Sequence, residues 1–509
     1  MKKQNIVLFM PRPSEYGYYL GLPLGLMQAV SLVDKKKFEI KIFSANPKTD
    51  YKKEIENAVN ENTVVFGVSS MTGFQIKNAI EAIRVVRKKN PFVPIAWGGY
   101  HASLLPEETL KSNFADIVVM GQAQRSFAEL VEALSKKTPL GGIRGIGYKS
   151  SGKIRINPPR EIEDINNFPD LDFSLVDVEN HVIISEDGKR YINLCGSYGC
   201  PHRCGFCVEP ILSKRKWFGL KAERVLKQME YLVEKHNIEF FGFNDSNFFV
   251  DRERVRSFCR GIIKKKWKIQ WGDANGRTRQ LLMFDKKLWA LMEKSGCKSI
   301  LIGAESGSQE MLDLVGKDTS PEDTVKFSNT AREHNIEVVF SLMVGIPKHP
   351  DYLDKKKSEA GVKKEIRDIL EMLEKSLPEK KYHAILLFVY TPYPGNPLFE
   401  TSKKCGFKSP GSLEEWANFE IVANNVPWVS KKNYAIAQQL MDFIFPYACD
   451  YYKKKHIKQL GLLHKVFHET ALWRWKNRFF AFPVEHKMLG FFRWARAKKN
   501  ALAEKTKTG

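Results

Sequence analysis

The stretch that decides the fold spans residues 191–207 and reads YINLCGSYGCPHRCGFC. A strand candidate, Tyr191–Leu194, is followed by a glycine-rich turn and then by Cys200, Cys204 and Cys207. Three thiolates with three and then two residues between them can bind three irons of a [4Fe-4S] cube. Such a cluster leaves its fourth iron open to a substrate. These residues therefore predict a metal site with one open position.

The distribution of the cysteines bears on the metal and on the compartment. Four of the eight cysteines fall within residues 195–207, and none lies in residues 1–194. A secreted disulfide framework would spread its cysteines more evenly, so we expect a reducing cytoplasm and one local cysteine-based site. A zinc site that recruits Cys195 or His202 as its fourth ligand is the alternative to an iron–sulfur cluster.

Downstream of the cysteines, strand-like and helix-like segments alternate along residues 189–400. The strand candidates after the first are Phe240–Asn244, Lys268–Gly272, Ser299–Ala304, Val338–Val344 and Ala384–Tyr390. Six strands with intervening amphipathic helices predict a partial (β/α)6 barrel, open on one side. The charged segment Lys355–Lys375 predicts a largely solvent-exposed helix. Residues 401–509 predict a C-terminal region that is mainly helical and rich in basic and aromatic side chains.

Upstream, residues 1–138 predict an α/β domain of flavodoxin-like (Rossmann-like) type. Its strand candidates are Ile6–Met10, Phe38–Phe43, Thr63–Val68, Val93–Trp97 and Ala115–Met120, and its helix candidates include Leu24–Leu32 and Gln75–Lys88. Gly and Ser residues cluster after these strands, where ligands of such sheets bind. Residues 139–188 predict a linker with a small hairpin at Gly147–Ile156.

The cysteine motif, with an aromatic residue before its last cysteine, resembles that of the radical S-adenosylmethionine (SAM) enzymes. The resemblance implies that the open iron chelates the methionine part of SAM and that one electron cleaves SAM to a 5′-deoxyadenosyl radical. It also implies an external electron donor of the flavodoxin or ferredoxin type. The residues that match SAM-binding positions are Phe206 at the adenine, Asp245 at the amine, Arg277 at the carboxylate, Gly303, Glu305 and Ser306 at the ribose, and Gly345 in a later strand-end turn. As alternatives, Asp245 caps a helix and Arg277 lies on the surface.

The N-terminal domain resembles the cobalamin-binding domain that precedes the radical domain in a subgroup of that family. Small residues at strand ends would let the nucleotide tail of cobalamin lie between sheet and helices. The matching residues are Ser69, Ser70, Gly98, Gly99, His101, Gly121 and Gln122. Two features depart from other cobalamin proteins. The motif that supplies an axial histidine to cobalt, Asp-x-His-x-x-Gly, is missing, and the acidic position after the fifth strand is Gln122.

Charge and hydropathy restrict the partners. The formal net charge is +23, and residues 451–509 contribute fifteen Lys or Arg against three acidic residues. Two segments interleave aromatics with cations: Leu472–Phe482 and Phe491–Lys499. They predict either a helical cap on the barrel or peripheral contact with the inner face of a membrane. A nucleic-acid partner is not expected, because no RNA-binding motif accompanies the charge. No apolar run is long enough to span a bilayer, so we expect a cytoplasmic protein.

Together these resemblances imply an enzyme that methylates an unactivated carbon of a small-molecule or lipid-like substrate, using the 5′-deoxyadenosyl radical and methylcobalamin. A cyclase, oxidase or rearrangement enzyme with the same cofactors is the first alternative. A non-catalytic adaptor that binds membrane or nucleic acid is the second. A transfer-RNA methylthiotransferase needs three further N-terminal cysteines, which residues 1–194 do not contain.

Overall fold

The computed structural model describes residues 3–13, 21–46, 49–185, 187–377, 384–419, 426–449 and 461–490. The N-terminal region is a sheet covered by helices, the central region is a partial barrel, and the last region is helical. The predicted α/β class with these three parts is confirmed.

The N-terminal sheet has seven strands in the order β2-β1-β3-β4-β5-β6-β7. The strands are β1 Gln4–Met10, β2 Phe38–Ser44, β3 Thr63–Ser69, β4 Ile95–Gly98, β5 Ile117–Val119, β6 Ile146–Ser150 and β7 Lys153–Ile156. The helices are α1 Leu24–Ala29, α2 Tyr51–Ala58, α3 Phe74–Lys89, α4 Tyr100–Leu104, α5 Pro106–Lys111 and α6 Gln124–Lys136. Strands β1–β5 pair in parallel, and Ile6–Phe9 of β1 are fully buried because helices cover both faces of the sheet.

The hairpin predicted within the linker belongs to this sheet. Strand β6 pairs antiparallel with β5, and β7 pairs antiparallel with β6. The hairpin therefore extends the N-terminal sheet instead of standing apart between the domains.

The central region contains strands β8 Ile183–Ile184, β9 Arg190–Leu194, β10 Ser197–Gly199, β11 Trp217–Gly219, β12 Phe240–Phe243, β13 Gln270–Gly272, β14 Ala274–Gly276, β15 Ser299–Glu305, β16 Glu337–Val344 and β17 Ala384–Val389. Its helices are α7 Glu209–Leu212, α8 Ala222–His236, α9 Arg252–Lys265, α10 Thr278–Leu281, α11 Lys286–Lys294, α12 Gln309–Leu314, α13 Pro321–Glu333 and α14 Lys355–Ser376. All six predicted barrel strands are present and run parallel to one another, while the short β8 pairs antiparallel with β9 at the edge.

The third barrel strand is broken in two, which the sequence did not predict. Strand β13 pairs with β12, whereas β14 pairs with β15. Asp273, between them, has a left-handed φ of 52°. Its carboxylate accepts from the Ser299 hydroxyl at 2.7 Å, and the same hydroxyl accepts from the Asp273 N–H at 2.9 Å. Asp tolerates this conformation when its side chain bonds locally.

Helix α14 differs from its expected exposure. Ile366, Ile369, Leu370 and Leu373 are buried along one face, and the charged residues other than the buried Glu365 lie mostly on the other. The helix is amphipathic and packs on the barrel, so the prediction of a largely solvent-exposed helix was wrong.

The C-terminal helices are α15 Pro397–Lys404, α16 Leu413–Trp416, α17 Lys431–Gln439, α18 Phe445–Ala448 and α19 Leu462–Lys476, with a π-helical turn at Leu440–Ile444. Trp475 of α19 is buried against Phe445, with ring centroids 5.1 Å apart. Trp473 and Phe482, in contrast, are 53% and 78% exposed. The segment Phe491–Lys499 lies outside the described residues. In the described ranges, none of the helices combines the length and hydropathy that a bilayer crossing requires.

Candidate active site

The three cysteines lie in one loop between β10 and α7. Cys200, Cys204 and Cys207 are partly buried and unpaired. Burial raises the pKa of Cys207 to about 12 and also raises the pKa of Cys200. A buried thiol loses its proton readily only when a cation takes the proton's place, and cluster iron supplies that charge. An all-sulfur donor set suits such iron. Among the described residues, no three His, Cys, Asp or Glu side chains surround a single metal position.

Two neighbouring segments anchor the backbone of this loop. The Gly205 N–H donates to the Val315 carbonyl at 2.8 Å, beyond the end of α12. The Asn396 amide, which caps α15, donates to the Phe206 carbonyl at 3.0 Å. The conformation of the cysteine loop is thus set by residues more than a hundred positions away in the chain.

Arg277 lies directly beside the cysteines. Its Nη1 is 3.2 Å from the Cys204 Sγ, and its side chain is buried. Its Nε is buried without a hydrogen-bond partner in the described structure. A guanidinium with an unused donor fits a site that receives a carboxylate.

Asp245 follows β12 and lies buried behind the turn that leads to the cysteines. The side chain has no exposed surface. Its carboxylate accepts from the Gly196 N–H at 2.9 Å and from the Ser197 hydroxyl, at the turn that leads to the cysteines. Arg254 donates to the Gly196 carbonyl at 2.7 Å from the same side. Asp245 therefore helps to position the turn that leads to the cysteines, and its contact with the methionine amine stays a prediction.

At the end of β15, Glu305 pairs with a lysine that the sequence did not single out. Glu305 has a left-handed φ of 60°, and its carboxylate accepts from the Lys317 ammonium at 2.7 Å. Both side chains are buried. The Lys317 Nζ also lies 5.9 Å from the centroid of the Phe206 ring. A Cβ on Gly303 would meet the Glu305 carboxylate at 2.1 Å, which explains a glycine there.

Ser306 is buried, and its hydroxyl accepts from the Ser308 N–H at 3.2 Å. This bond turns the chain at the end of β15. Glu305, Ser306 and Gly303 are therefore brought together with Phe206 of the cysteine loop, through Lys317.

The turn at Gly345 is held from both sides. The Gly345 N–H donates to the Glu365 carboxylate at 2.7 Å, and its carbonyl accepts from the Trp428 indole at 2.8 Å. Gly345 has a φ of +75°, and a Cβ would lie 2.5 Å from Val429. Glu365 also accepts from the Tyr352 hydroxyl at 2.5 Å, and burial raises its pKa to about 7. Glu365 and Trp428 gave no signal in the sequence, since Glu365 contacts the turn from the middle of α14 and Trp428 from a turn before α17.

A cavity of about 270 Å³ opens between the N-terminal sheet and helices α1 and α6. Ser69, Gly98, Gly99, Gly121 and Gln122 are among the predicted residues that line it. A Cβ at Gly121, or at Gly25 of α1, would meet no atom within 4 Å. The glycines thus leave open space for an elongated group, as expected for a cofactor tail.

Ser70 and His101 are not among the residues that line this cavity. The His101 Nδ1 lies 3.1 Å from the Thr72 hydroxyl, and its ring packs edge-on against Trp416. Burial lowers the pKa of His101 to about 4, so the ring is neutral. In the described structure the Ser70 hydroxyl and the His101 Nε2 are both buried without a hydrogen-bond partner. Their contact with the cofactor stays a prediction.

The contacts of Gln122 explain why an amide occupies this position instead of the expected acidic residue. Its amide NH2 donates to the Glu163 carbonyl at 3.0 Å, and its oxygen accepts from the Glu163 N–H at 2.9 Å. A carboxylate could make only the second of these bonds. The amide thus fixes the end of the cavity to the segment that connects the two domains.

The cavity and the cysteine loop share a wall. Tyr198, two residues before Cys200, lines the cavity. Tyr100 also lines it, and its hydroxyl donates to the buried carboxylate of Glu209, two residues after Cys207. Burial raises the pKa of Glu209 and of Tyr100. Neither tyrosine was predicted, because nothing local in sequence shows that the two domains meet here.

Comparison with known proteins agrees with this arrangement. The family model of the radical SAM superfamily matches residues 194–353, and that of the B12 binding domain matches residues 17–131. The uncharacterized methyltransferase PH0819 of Pyrococcus horikoshii is 27% identical over 408 residues, which cover 79% of this chain and 83% of the relative. The anaerobic magnesium-protoporphyrin IX monomethyl ester cyclase of Rubrivivax gelatinosus is 25% identical over 334 residues, covering 64% and 56%.

Two solved structures have the same fold. The radical SAM methyltransferase TsrM of Kitasatospora setae, with tryptophan and a SAM analogue bound, superposes with a TM-score of 0.64 at 17% identity, covering 86% of this chain and 88% of its own. The cobalamin-dependent radical enzyme OxsB, with aqua-cobalamin and SAM bound, gives 0.65 at 16% identity, covering 92% and 72%. The cofactors expected from the sequence, a [4Fe-4S] cluster, SAM and cobalamin, are confirmed as those of the two matched domain families. With a B12-binding domain ahead of a radical SAM domain, the chain belongs to the cobalamin-binding radical SAM enzymes.

Proposed function

We propose that this enzyme is a methyltransferase that places a methyl group on an unactivated carbon of a small-molecule substrate. The observation that carries the proposal is the wall shared by the cysteine loop and the N-terminal cavity, built by Tyr100 and Tyr198. When bound, the cluster with SAM supplies a 5′-deoxyadenosyl radical and cobalamin supplies a methyl group. A radical and a methyl donor can act on one carbon only if their sites adjoin, and this wall makes the two sites neighbours.

Different residues of the barrel would bind the cluster and different parts of SAM. Cys200, Cys204 and Cys207 would hold three irons. The Arg277 guanidinium, with its unused Nε, would receive a carboxylate beside them. Phe206, Gly303, Glu305, Ser306 and Gly345 would surround the nucleoside, and the buried Lys317 would fix the charge of Glu305.

The residues of the N-terminal domain would hold the cobalamin tail. Ser69 would offer a hydroxyl, while Gly98, Gly99 and Gly121 keep the space beside the sheet open. Gln122 would close one end of the cavity through its two bonds to Glu163. Apolar walls exclude water from the tail and leave few polar contacts to orient it.

The names of the relatives support methyl transfer and also favour one rival. PH0819 and TsrM are named methyltransferases. Several relatives are named anaerobic magnesium-protoporphyrin IX monomethyl ester cyclases, so ring closure with the same cofactors is the second candidate. The two differ in product mass, because methylation adds one methylene unit and cyclisation adds none.

The test follows the methyl group of SAM. Anaerobically reconstituted enzyme with cobalamin and reductant is incubated with trideuteromethyl SAM and a metabolite extract of the source organism. Methyl transfer predicts cobalamin-dependent release of S-adenosylhomocysteine and an extract component that carries the trideuteromethyl group. Release of 5′-deoxyadenosine without S-adenosylhomocysteine would instead support the cyclase.

Part of the C-terminal surface supports a lipid-like substrate reached at a membrane. Trp473, Phe482 and Val484 are exposed beside Lys476 and Lys487. Aromatic and aliphatic side chains interleaved with cations suit the interface of an anionic bilayer. Peripheral contact predicts that the enzyme sediments with vesicles containing phosphatidylglycerol and does so less after Trp473→Glu/Phe482→Glu. Equal sedimentation of the two proteins would contradict it.

A further inference from the structure

An exposed basic turn lies directly behind the cysteine loop. It consists of Lys214, Arg215 and Lys216, all exposed, between α7 and β11. Lys214 and Arg215 both adopt left-handed backbone conformations, with φ of 50° and 59°. Two successive non-glycine residues in this region are strained, so such a turn is uncommon.

The turn is packed against the chain that leads into the cluster. The Lys216 carbonyl lies 2.1 Å from where a Cβ on Gly199 would be, so no side chain fits at residue 199. Arg215 Nε donates to the Pro201 carbonyl at 3.4 Å. Ser213, the residue before the turn, accepts from the Cys200 N–H at 3.5 Å. The basic turn and Ser213 therefore contact the chain at Cys200 and at the residues on either side of it.

The surrounding charges leave this surface cationic. Arg203, exposed within the cysteine loop, adds a fourth cation. Glu161 is the nearby carboxylate, 3.8 Å from Lys214 and 3.9 Å from Lys216, and it is 72% exposed. Asp318 is a second acidic group on this side, but Arg279 pairs with it at 2.5 Å. The positive excess is thus concentrated beside the cysteine loop.

We propose that the basic turn and Arg203 form the docking surface for an acidic one-electron carrier protein. This inference rests on the proposed cluster chemistry. The carrier loses one electron and the oxidised cluster gains it, with no other reactant and no proton required. Electron transfer falls steeply with distance, so a carrier must dock where the path to the cluster is short. Opposite charges speed the encounter and fix its orientation, and salt weakens them. The local contacts favour an acidic protein over nucleic acid, because the cations form a compact patch at the redox centre.

The test uses the double variant Lys214→Asp/Lys216→Glu. Asp tolerates the left-handed conformation at residue 214, and Arg215, which contacts the cysteine loop, is retained. The matched control is Lys88→Asp/Lys89→Glu, two exposed lysines at the C-terminal end of α3. That end of the helix leads into the start of β4, whereas Gly98 and Gly99 of the cavity lie at the end of the same strand.

Two readouts separate docking from chemistry. The first is the affinity of an acidic flavodoxin for each protein, titrated at low salt without turnover. The second is the initial rate of 5′-deoxyadenosine release, driven either by reduced flavodoxin or by dithionite. We expect the double variant to lose at least about tenfold in flavodoxin affinity and in flavodoxin-driven rate at low salt, while its dithionite-driven rate and the control are unchanged.

Equal flavodoxin affinity in wild type and double variant would overturn the docking surface. So would an affinity for transfer RNA that falls in the double variant while flavodoxin binding does not. Wild-type enzyme that releases no 5′-deoxyadenosine with dithionite would instead refute the proposed function, and the binding titration would still decide the docking surface.

Discussion

Glu365 offers the sharpest test of how the barrel holds its SAM-binding turn. Its carboxylate accepts from the Gly345 N–H and the Tyr352 hydroxyl, and burial raises its pKa from 4.5 to about 7. The folded protein therefore keeps a proton that the unfolded chain releases as pH rises above about 4.5. The stability linked to this group is complete below that pH and is lost as pH rises through about 7.

The size of the effect follows from the shift. A change of one pKa unit corresponds to about 1.4 kcal/mol, so Glu365 costs the folded state roughly 3 kcal/mol between pH 5 and pH 8. Glu365→Gln removes the titration, because an amide stays neutral at both pH values. The free energy of unfolding of the variant, relative to wild type, should therefore improve by about 3 kcal/mol on going from pH 5 to pH 8.

The assay is guanidinium unfolding of the apo protein at the two pH values, followed by tryptophan fluorescence. Trp428, which donates to the Gly345 carbonyl, makes the signal sensitive to this turn. Glu371→Gln, an exposed position on the same helix, is the matched control for the loss of a carboxylate. A Glu365→Gln effect that is the same at pH 5 and pH 8 would refute the reasoning.

Three further substitutions test other parts of the site. Gly25→Leu should abolish cobalamin retention, measured by the absorption spectrum, whereas Gly25→Ala should retain cobalamin. Both substitutions are compatible with the helix, but only the leucine side chain is large enough to fill the cavity. Loss of cobalamin in both variants would contradict the assignment. Lys317→Met should lower the free energy of unfolding by about 3 kcal/mol by leaving the Glu305 carboxylate buried and unpaired, and adding Glu305→Gln should recover most of it. If the second change recovers nothing, the pair is not the cause. Tyr100→Phe should lower the free energy of unfolding by about 1.5–3 kcal/mol, because it removes a hydrogen-bond donor to the buried Glu209. A thermal unfolding midpoint equal to wild type would show that this bond does not join the domains.

Local pattern was enough to predict the strands and the metal loop. Alternating apolar runs and helical periodicity identify β1–β5 and the six barrel strands, because each must bury its faces between helices. The three cysteines were equally predictable from the sequence, because their spacing within one loop is what an iron–sulfur cluster requires. The break at Asp273 was not, because it depends on a hydrogen bond to Ser299 on the neighbouring strand.

Contacts between distant segments account for the rest. Lys317 reaches Glu305 across α12, and Trp428 reaches Gly345 from the C-terminal region. In each pair only one residue belonged to a motif. Asp245 shows a related limit: its position after β12 predicted a SAM contact, but only the structure shows that its carboxylate also accepts from the Gly196 N–H in the turn before the cysteines. Sequence position identifies a strand end, whereas burial and hydrogen-bond partners determine what the side chain there does.

The central claim is that Cys200, Cys204 and Cys207 hold the cluster that cleaves SAM. The most direct measurement compares 5′-deoxyadenosine release by wild type, Cys204→Ala and Cys195→Ala after anaerobic reconstitution with iron and sulfide. Cys195 is the matched control, because its thiol donates to the Ser197 carbonyl at 3.1 Å in the preceding turn. The account predicts release by wild type and by Cys195→Ala and none by Cys204→Ala. Release by Cys204→Ala at the wild-type rate would contradict it.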